Sequence, residues 1–269
     1  WLGKIPGQLL HVNILSCGIF AAVSGSSAAT AATIGRMTLP ELKQRGYDTR
    51  MAIGTLAGSG TLGLLIPPSI ILIVYGVAAE VSVARLFMAG AVPGLLLVCL
   101  FMGYTALWAK LNPQYAPQNT QHYSWADKFK AIRSLLPVLG LIVFVLGSIY
   151  TGLTTPSEAA AFGVAGALFI SSVTGALSKK SFNESLMGAV KTSCMIALIL
   201  AGAAFLTISM GFLGLPRMLA EMITDLQLSP YMLLVYLTVL FVILGCFLDG
   251  ISVVVLTTSI VLPMVQQAG

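Results

Sequence analysis

The chain has 269 residues, of which 57% are hydrophobic and 9% are charged, and its mean hydropathy is +0.95. A soluble protein of this length displays far more polar surface, so the composition excludes a soluble domain and predicts an integral membrane protein. The net charge of +5 does not indicate nucleic-acid binding, because the sequence has no soluble module in which basic and aromatic residues alternate.

Neither the histidines nor the cysteines form a pattern that would bind a transition metal. The two histidines, His11 and His122, lie far from other good ligands. The cysteines are widely spaced in apolar stretches, which favours packing over disulfides: Cys17, Cys99, Cys194 and Cys246. The sequence predicts no cofactor. It begins at Trp1 without a signal pattern, so we expect a piece of a longer protein.

The first element in chain order is a charge-free apolar run from Leu9 to Gly35, which the sequence Ser24-Gly25-Ser26-Ser27 interrupts. From His11 to Val23 there are 13 residues, about 20 Å of helix, which reaches the bilayer midplane but does not cross it. Three serines facing lipid would be costly. We therefore predict a re-entrant hairpin over residues 9–40; the alternative is one ordinary span that tolerates a glycine.

The second element, Met51 to Ala78, is predicted to be a broken helix. Glycine, serine and threonine dominate Gly58 to Gly63, and Pro67-Pro68 follows. Proline removes backbone donors, and unwound backbone is tolerated in a bilayer only where it lines a cavity or binds something. Two breaks so close together indicate a solute or ion site at membrane depth, although a simple kink is the alternative interpretation of the prolines.

Further apolar stretches follow, and together with residues 51–78 they predict five crossings of the membrane. The others are Leu86 to Trp108, Leu135 to Tyr150, Ala159 to Leu177 and Val190 to Phe212. The segments Lys179 to Lys191 and Pro216 to Leu228 resemble amphipathic surface helices. The last apolar segment, Tyr231 to Pro263, carries a break at Asp249-Gly250, and we predict a second hairpin over residues 231–268.

Hydroxyl residues followed three positions later by a carboxylate predict where helices start. The strongest signal is Thr155-Pro156-Ser157-Glu158, in which the proline takes the first helical position. Thr38 and Ser181 have the same spacing to an acidic residue. Glu158 could instead be a functional carboxylate at the membrane edge, but a capping role also explains its neighbours.

The distribution of basic residues predicts the orientation. If Lys4 and the segments Arg36–Arg50, Lys110–Arg133 and Lys179–Lys191 share one side, only Arg85 and Arg217 of the 14 Lys and Arg residues lie on the other. The side with most of the Lys and Arg residues is then the cytoplasm. Five crossings also place the two hairpins on opposite sides, so the first enters from the cytoplasm and the second from the periplasm. This is the arrangement of an inverted repeat.

Asp249 is the one ionisable residue in the middle of an apolar run. An intramembrane carboxylate is a functional candidate, because burying it without compensation is costly and a bound cation is a ready partner. The alternatives are that Asp249 lies in a water-filled vestibule or caps the helix that begins at Gly250.

Three runs together resemble the large membrane subunit of tripartite ATP-independent periplasmic (TRAP) transporters. They are VSGSSAAT at Val23–Thr30, GSGTLGLLIPPS at Gly58–Ser69 and TPSEAAA at Thr155–Ala161. The match extends from the first hairpin to the second. It implies an all-α integral membrane protein, an inverted-repeat elevator-type transporter with two re-entrant hairpins and broken helices, in a bacterial inner membrane. The family's first scaffold helices and a later broken helix are not in this sequence.

The resemblance implies sodium-driven uptake of a small carboxylate, such as a C4-dicarboxylate or a sugar acid. A soluble periplasmic binding protein would deliver the solute, and a small membrane (Q) subunit, separate or fused, would be the scaffold partner. Membrane lipid is a further expected partner, and nucleic acid is not. By the same resemblance, one sodium site lies between the first hairpin tip and the break, and the other at the Asp249-Gly250 tip.

Sodium takes oxygen ligands, which unwound carbonyls and hydroxyls supply, and helix N-termini at the tips favour an anionic solute. The residues expected to bind sodium are Ser24, Gly25, Ser26, Gly60, Thr61, Gly63, Asp249 and Gly250. Those expected to bind the substrate are Ser27, Thr30, Pro67, Pro68, Thr257 and Thr258. Proton coupling through a buried carboxylate stays open.

Other classes fit the sequence less well. An intramembrane serine protease needs a base at membrane depth, for which only His11 is a remote candidate, and an aspartyl protease needs two carboxylates where only Asp249 qualifies. We therefore expect no enzyme. An ion channel could use the same carbonyl chemistry, but opposed hairpins favour alternating access. The strongest alternative is a sodium- or proton-coupled anion transporter that needs no binding protein.

Overall fold

The computed structural model describes residues 2, 5–117, 124–214, 218 and 230–268, and all regular structure in these residues is helical. The helices that build the first hairpin and the break are α1 (Leu9–Ser24), α2 (Ser27–Gln44), α3 (Thr49–Gly60), α4 (Leu62–Leu65) and α5 (Ile70–Ala78). The others are α6 (Val83–Leu111), α7 (Trp125–Tyr150), α8 (Pro156–Val173), α9 (Lys179–Phe212), α10 (Pro230–Gly245) and α11 (Gly250–Ala268), with a 3-10 turn at Pro113–Tyr115. The prediction of an all-α architecture is confirmed for the described residues.

The chain divides into two compact units. The first comprises Trp1–Leu72 and Ala84–Ala176, and the second comprises Ile73–Val83 and Leu177–Gly269. The first hairpin and the break of the second element therefore belong to the first unit. The predicted second hairpin belongs to the second unit.

Helices α1 and α2 run antiparallel and pack against each other along their length. Leu10 near the start of α1 shares a core cluster with Leu42 near the end of α2, and Cys17 in the middle of α1 shares one with Ile34. Helix α3 contributes Leu56 to the second of these clusters. The chain thus turns back on itself at Gly25-Ser26, where the sequence predicts a break.

The predicted broken helix over residues 51–78 is also interrupted at the expected positions. Helix α3 ends at Gly60, α4 occupies only Leu62–Leu65, and α5 begins at Ile70 after Pro67-Pro68, whose peptide bond is cis. The backbone is already extended at Ile66, which ends α4. Because proline has no amide hydrogen, neither Pro67 nor Pro68 can donate to a carbonyl of the preceding turn.

Among the described residues, three helices are long and apolar enough to cross a membrane: Val83–Leu111, Pro156–Val173 and Lys179–Phe212. The bent pair that comprises α3, α4 and α5 passes the same test as one span. These correspond to four of the five predicted crossings. The apolar part of α7, Leu135–Tyr150, falls short of that length, although α7 itself extends back to Trp125.

One predicted boundary is wrong. We expected a surface helix over Lys179–Lys191 and a separate span from Val190, but α9 is one continuous helix of 34 residues. The residues around this expected boundary are mostly good helix formers and include no proline, so nothing in them stops the helix. The predicted surface helix over residues 216–228 lies outside the described residues, apart from Met218.

Large apolar side chains on the long helices are mostly exposed, the reverse of a soluble protein. In the most apolar 18 residues of α9 no residue is buried. In the most apolar 18 residues of α6 only 22% are buried. Such surface is stable only against lipid or another protein. Of the four cysteines, Cys17 is buried and Cys99, Cys194 and Cys246 are exposed, so the expected packing role holds only for Cys17.

The capping pattern at Thr155 is confirmed, whereas two weaker capping signals were misplaced. The Thr155 hydroxyl accepts from the Glu158 amide at 3.3 Å, and the Glu158 carboxylate accepts from the Thr155 amide at 2.7 Å. Helix α9 is capped by Ser178 rather than Ser181. Thr38 lies inside α2, where its hydroxyl donates to the Ile34 carbonyl, because α2 continues without a break from Ser27.

The capping pair gives a direct test of the role of Glu158. We expect Glu158→Gln to unfold at the wild-type temperature and to transport normally, because glutamine can fill the same position in a capping box. Thr155→Ala should lower the free energy of unfolding by about 1 kcal/mol. Thermal unfolding and solute uptake of both variants measure this. Loss of uptake in Glu158→Gln at normal stability would assign Glu158 a functional role instead.

Candidate functional site

The tip of the first hairpin is built from a left-handed glycine followed by a capping serine. Gly25 has φ +58°, ends α1, and donates its amide to the Ala21 carbonyl at 2.9 Å. Glycine adopts this conformation without a steric penalty. Ser26 is extended, and its hydroxyl accepts from the Ala29 amide at 3.4 Å as the cap of α2. The local sequence thus suffices to turn the chain here.

Hydroxyl groups of the tip are joined in a short chain. The Thr30 side chain is fully buried and donates to the Ser26 carbonyl at 2.7 Å, and the Ser24 and Thr30 hydroxyl oxygens are 2.7 Å apart. Because Thr30 uses its hydrogen on Ser26, Ser24 is the donor in this pair. The Ser24 oxygen accepts from the Ser26 amide at 3.4 Å, so its second lone pair stays available for a further ligand.

Glycines in the break allow the backbone of the hairpin tip to lie close to the backbone of the break. A Cβ atom on Gly63 would lie 2.9 Å from the Ser26 carbonyl carbon and 3.1 Å from the Ser27 amide nitrogen. A Cβ atom on Gly60 would lie 3.0 Å from the Ala31 Cβ and 3.5 Å from the Ser27 carbonyl oxygen. The expected contact between the first tip and the region Gly60–Gly63 is therefore present.

The tip also bonds to the far side of the break. The Ile70 amide, at the start of α5, donates to the Gly25 carbonyl at 3.3 Å. A Cβ atom on Gly25 would lie 3.0 Å from the Pro68 carbonyl oxygen. Pro67 is buried and Pro68 is partly buried. We call the assembly of these segments the tip–break site; it comprises Ser24, Gly25, Ser26, Ser27, Thr30, Gly60, Gly63, Pro67, Pro68 and Ile70.

Thr61 was expected in the same set but takes a different position. Its side chain is exposed, and its hydroxyl donates to the Gly58 carbonyl of the preceding turn at 2.6 Å. The threonine hydroxyl thus satisfies a carbonyl at the end of α3, where such side-chain to backbone bonds are favoured. This bond directs the hydroxyl to its own helix end.

Several residues that support the tip–break site were missed by the sequence analysis. Ser69 is fully buried and donates to the Leu64 carbonyl at 2.7 Å, which closes the turn around the two prolines. On α6, a Cβ atom at Gly90 would lie 2.9 Å from the Leu65 carbonyl oxygen, and one at Gly94 would lie 2.9 Å from the Ile66 side chain. Because these two glycines have no side chain, the unwound segment can pack closely against α6.

Asn13 is a further missed residue. It is fully buried on α1, and its amide donates to the Thr55 hydroxyl at 3.2 Å and the Ala52 carbonyl at 3.4 Å, which ties α1 to α3. Its Oδ1 atom has no hydrogen-bond partner among the described residues. An amide in an otherwise apolar run was the available signal. His11, the remote candidate for a protease base, is also fully buried, with Nε2 2.8 Å from the Pro6 carbonyl.

The second tip adopts the alternative in which Asp249 caps a helix. The Asp249 carboxylate accepts from the amides of Ile251 at 3.1 Å and Ser252 at 3.3 Å, and the Ser252 hydroxyl donates to its other oxygen. Gly250 is the first residue of α11. Because Asp249 is exposed within the chain, these capping contacts leave room for the carboxylate also to meet a cation.

The two threonines that were expected to contact substrate have their hydroxyls bonded within α11. Thr257 donates to the Val253 carbonyl at 2.7 Å and Thr258 to the Val254 carbonyl at 2.6 Å. Both line a cavity of about 360 Å³ whose other lining residues are mostly apolar. Their role in substrate binding stays a prediction, as does sodium binding at either tip.

The sequence is similar to those of known proteins. The family model for the tripartite ATP-independent periplasmic transporter, DctM component, matches residues 1–269. Relatives include the C4-dicarboxylate TRAP transporter large permease protein of Pseudomonas aeruginosa, 34% identical over the whole chain and 62% of its own length. The sialic acid TRAP transporter large permease protein of Vibrio cholerae is 31% identical, again over the whole chain and 62% of its length.

A third relative is the isethionate TRAP transporter permease protein DctMQ of Oleidesulfovibrio alaskensis. It is 34% identical over the whole of this chain, and the matched region makes up 42% of the relative's own length. The chain thus spans about three fifths, or less, of these curated relatives. The match to the family model nevertheless extends over every residue. The chain belongs to the family of large membrane subunits, the DctM component, of tripartite ATP-independent periplasmic transporters.

Proposed function

We propose that this chain is part of a sodium-coupled transporter that carries a small organic acid across a bacterial inner membrane. The observation that carries the proposal is the tip–break site, where Gly25, Ser26 and Ser27 meet Gly63 and Pro68 without intervening side chains. Close backbone contact between the hairpin tip and the broken helix concentrates carbonyl and hydroxyl oxygens, which are the ligands that a hard cation takes.

An anionic solute fits the same site. Two helices, α2 and α5, begin at the tip–break site, and the positive dipole ends of helix N-termini favour a negative charge. The names of the relatives include C4-dicarboxylate, sialic acid and isethionate, which are anions. We therefore propose a small organic anion as the substrate, a carboxylate above all.

The first hairpin is proposed to be re-entrant from the cytoplasmic side. Helix α1 has 16 residues, about 24 Å at 1.5 Å per residue, and so ends inside a hydrocarbon core of about 30 Å. The basic residues at the end of α2 and the start of α3 favour the cytoplasm for this side. The second hairpin would enter from the periplasm, and the close-packed first hairpin and break would move together as an elevator.

The proposed partners are a small membrane subunit and a soluble periplasmic binding protein that hands over the solute. The name DctMQ of one relative supports a fused form of the small subunit in part of the family. A transporter that takes its solute directly, without a binding protein, is the second candidate. Both candidates would use the tip–break site, so the need for a binding protein distinguishes them.

The test is uptake into proteoliposomes by the complete transporter that contains this chain, supplied with its binding protein and a panel of carboxylates. We expect uptake to require both an inward sodium gradient and the binding protein. Uptake without the binding protein would favour the second candidate. Uptake driven by a pH gradient in sodium-free buffer would replace sodium by protons as the coupling ion.

A further inference from the structure

A cavity of about 690 Å³ is lined by residues of α2, α3 and the segment that joins them. Most of its wall is apolar and includes Leu39, Ile53 and Leu56. Its volume is within the range of small-molecule sites, about 300 to 1,000 Å³. All of its lining residues belong to the first unit.

Two basic side chains, Arg36 and Lys43, line the same cavity. They are seven residues apart in α2, close to two helical turns, so they lie on one face of the helix. Both are exposed, and neither has an ion-pair or hydrogen-bond partner in the part of the chain that the structure describes. The cavity thus combines an apolar wall with two positive charges that no described carboxylate pairs with.

The acidic groups close to this face in sequence are already engaged. Glu41 forms an ion pair with Arg45, with a nitrogen to oxygen distance of 2.5 Å. Asp48 accepts from the Met51 amide at 2.7 Å as the cap of α3. Neither carboxylate lines the cavity. No described carboxylate therefore forms an ion pair with Arg36 or Lys43, which leaves both charges open to an anion from outside the described chain.

We infer that this cavity binds one anionic phospholipid of the cytoplasmic leaflet. Its phosphate lies between Arg36 and Lys43, and an acyl chain lies along Leu39, Ile53 and Leu56. A small free anion would use the two charges but leave the apolar wall against water, whereas a lipid satisfies both. The inference rests on the proposed cytoplasmic orientation of this face, because the anionic lipids that attract Arg and Lys are enriched there.

Native mass spectrometry of the complete transporter, titrated with phosphatidylglycerol in detergent, tests the inference. We expect Arg36→Gln/Lys43→Gln to weaken phosphatidylglycerol binding about 30-fold, from the loss of two charges close to a membrane surface. The matched control is Arg50→Gln/Lys110→Gln, which removes two charges from the same predicted side but outside this cavity. The control should bind phosphatidylglycerol as the wild type does.

A second variant tests the apolar wall. Ala32 lines the cavity and is exposed, so Ala32→Trp fills space without removing a charge, and we expect it to weaken binding as well. Phosphatidylcholine should bind weakly to all variants. Equal losses in both double variants, unchanged binding in Ala32→Trp, or equally tight binding of soluble glycerol phosphate would each overturn the inference. Binding is measured without sodium or solute, so failure here is separate from failure of the transport proposal.

Discussion

Replacing Gly63 with alanine is expected to raise the sodium concentration needed for half-maximal uptake about 10- to 100-fold, the range found when supporting contacts of a metal site are lost. The new Cβ atom would lie 2.9 Å from the carbonyl carbon and 3.0 Å from the carbonyl oxygen of Ser26, and 3.1 Å from the amide nitrogen of Ser27. All three are backbone atoms, so no side-chain rotation relieves the contact. The hairpin tip itself must move.

Gly54→Ala is the matched control for Gly63→Ala. Gly54 lies in α3, and a Cβ atom there would meet nothing within 4 Å. Because alanine is a better helix former than glycine, this variant should be at least as stable as the wild type and equally sensitive to sodium. Uptake measured against sodium concentration, with thermal unfolding as a check on folding, compares the two. A folded Gly63→Ala variant with wild-type sodium dependence would separate the tip–break contact from sodium binding.

Gly60 allows the same idea to be tested by rescue. Its added Cβ would lie 3.0 Å from the Ala31 Cβ, a side-chain atom that a second substitution can remove. The double variant Gly60→Ala/Ala31→Gly should therefore recover sodium affinity that Gly60→Ala loses. Recovery would show that the distance between hairpin and break matters, rather than the flexibility of a glycine at position 60.

The two breaks could be predicted from the sequence because their causes are local. Gly25 permits a positive φ, Ser26 caps the following helix, and Pro67-Pro68 removes two amide donors, and each effect depends on a few adjacent residues. The same reasoning located the capped start of α8 at Thr155. Each of these effects acts within one helical turn, so the adjacent residues alone were enough to predict it.

Contacts between distant segments, the directions of some side chains and the ends of some helices could not be predicted in the same way. Nothing near Gly90 or Gly94 in the sequence indicates that both face the unwound segment around Ile66. Thr61 has the chemistry of a ligand, yet its hydroxyl bonds to the Gly58 carbonyl, and the choice between these roles depends on side-chain direction. Helix ends were also uncertain, because Ser178 and Ser181 are both plausible caps until the backbone selects one.

Asp249 is the residue for which two interpretations of the sequence can now be separated by experiment. The carboxylate caps α11 through the amides of Ile251 and Ser252, at 3.1 Å and 3.3 Å. Asparagine caps helices about as well as aspartate does. Asp249→Asn should therefore keep the helix end while removing the charge, whereas Asp249→Ala removes both and costs about 1 kcal/mol of stability.

If Asp249 also binds sodium, Asp249→Asn should raise the sodium concentration for half-maximal uptake at least about tenfold, because contacts with a charged group contribute about 1.5 to 3 kcal/mol. Its unfolding temperature should match that of the wild type. Ser252→Ala is the control, since it removes a hydroxyl partner of the carboxylate but not its charge. The opposite outcome is wild-type sodium dependence in Asp249→Asn together with a stability defect confined to Asp249→Ala. Asp249 would then act only as a helix cap, and its carboxylate would not be a sodium ligand at the second tip.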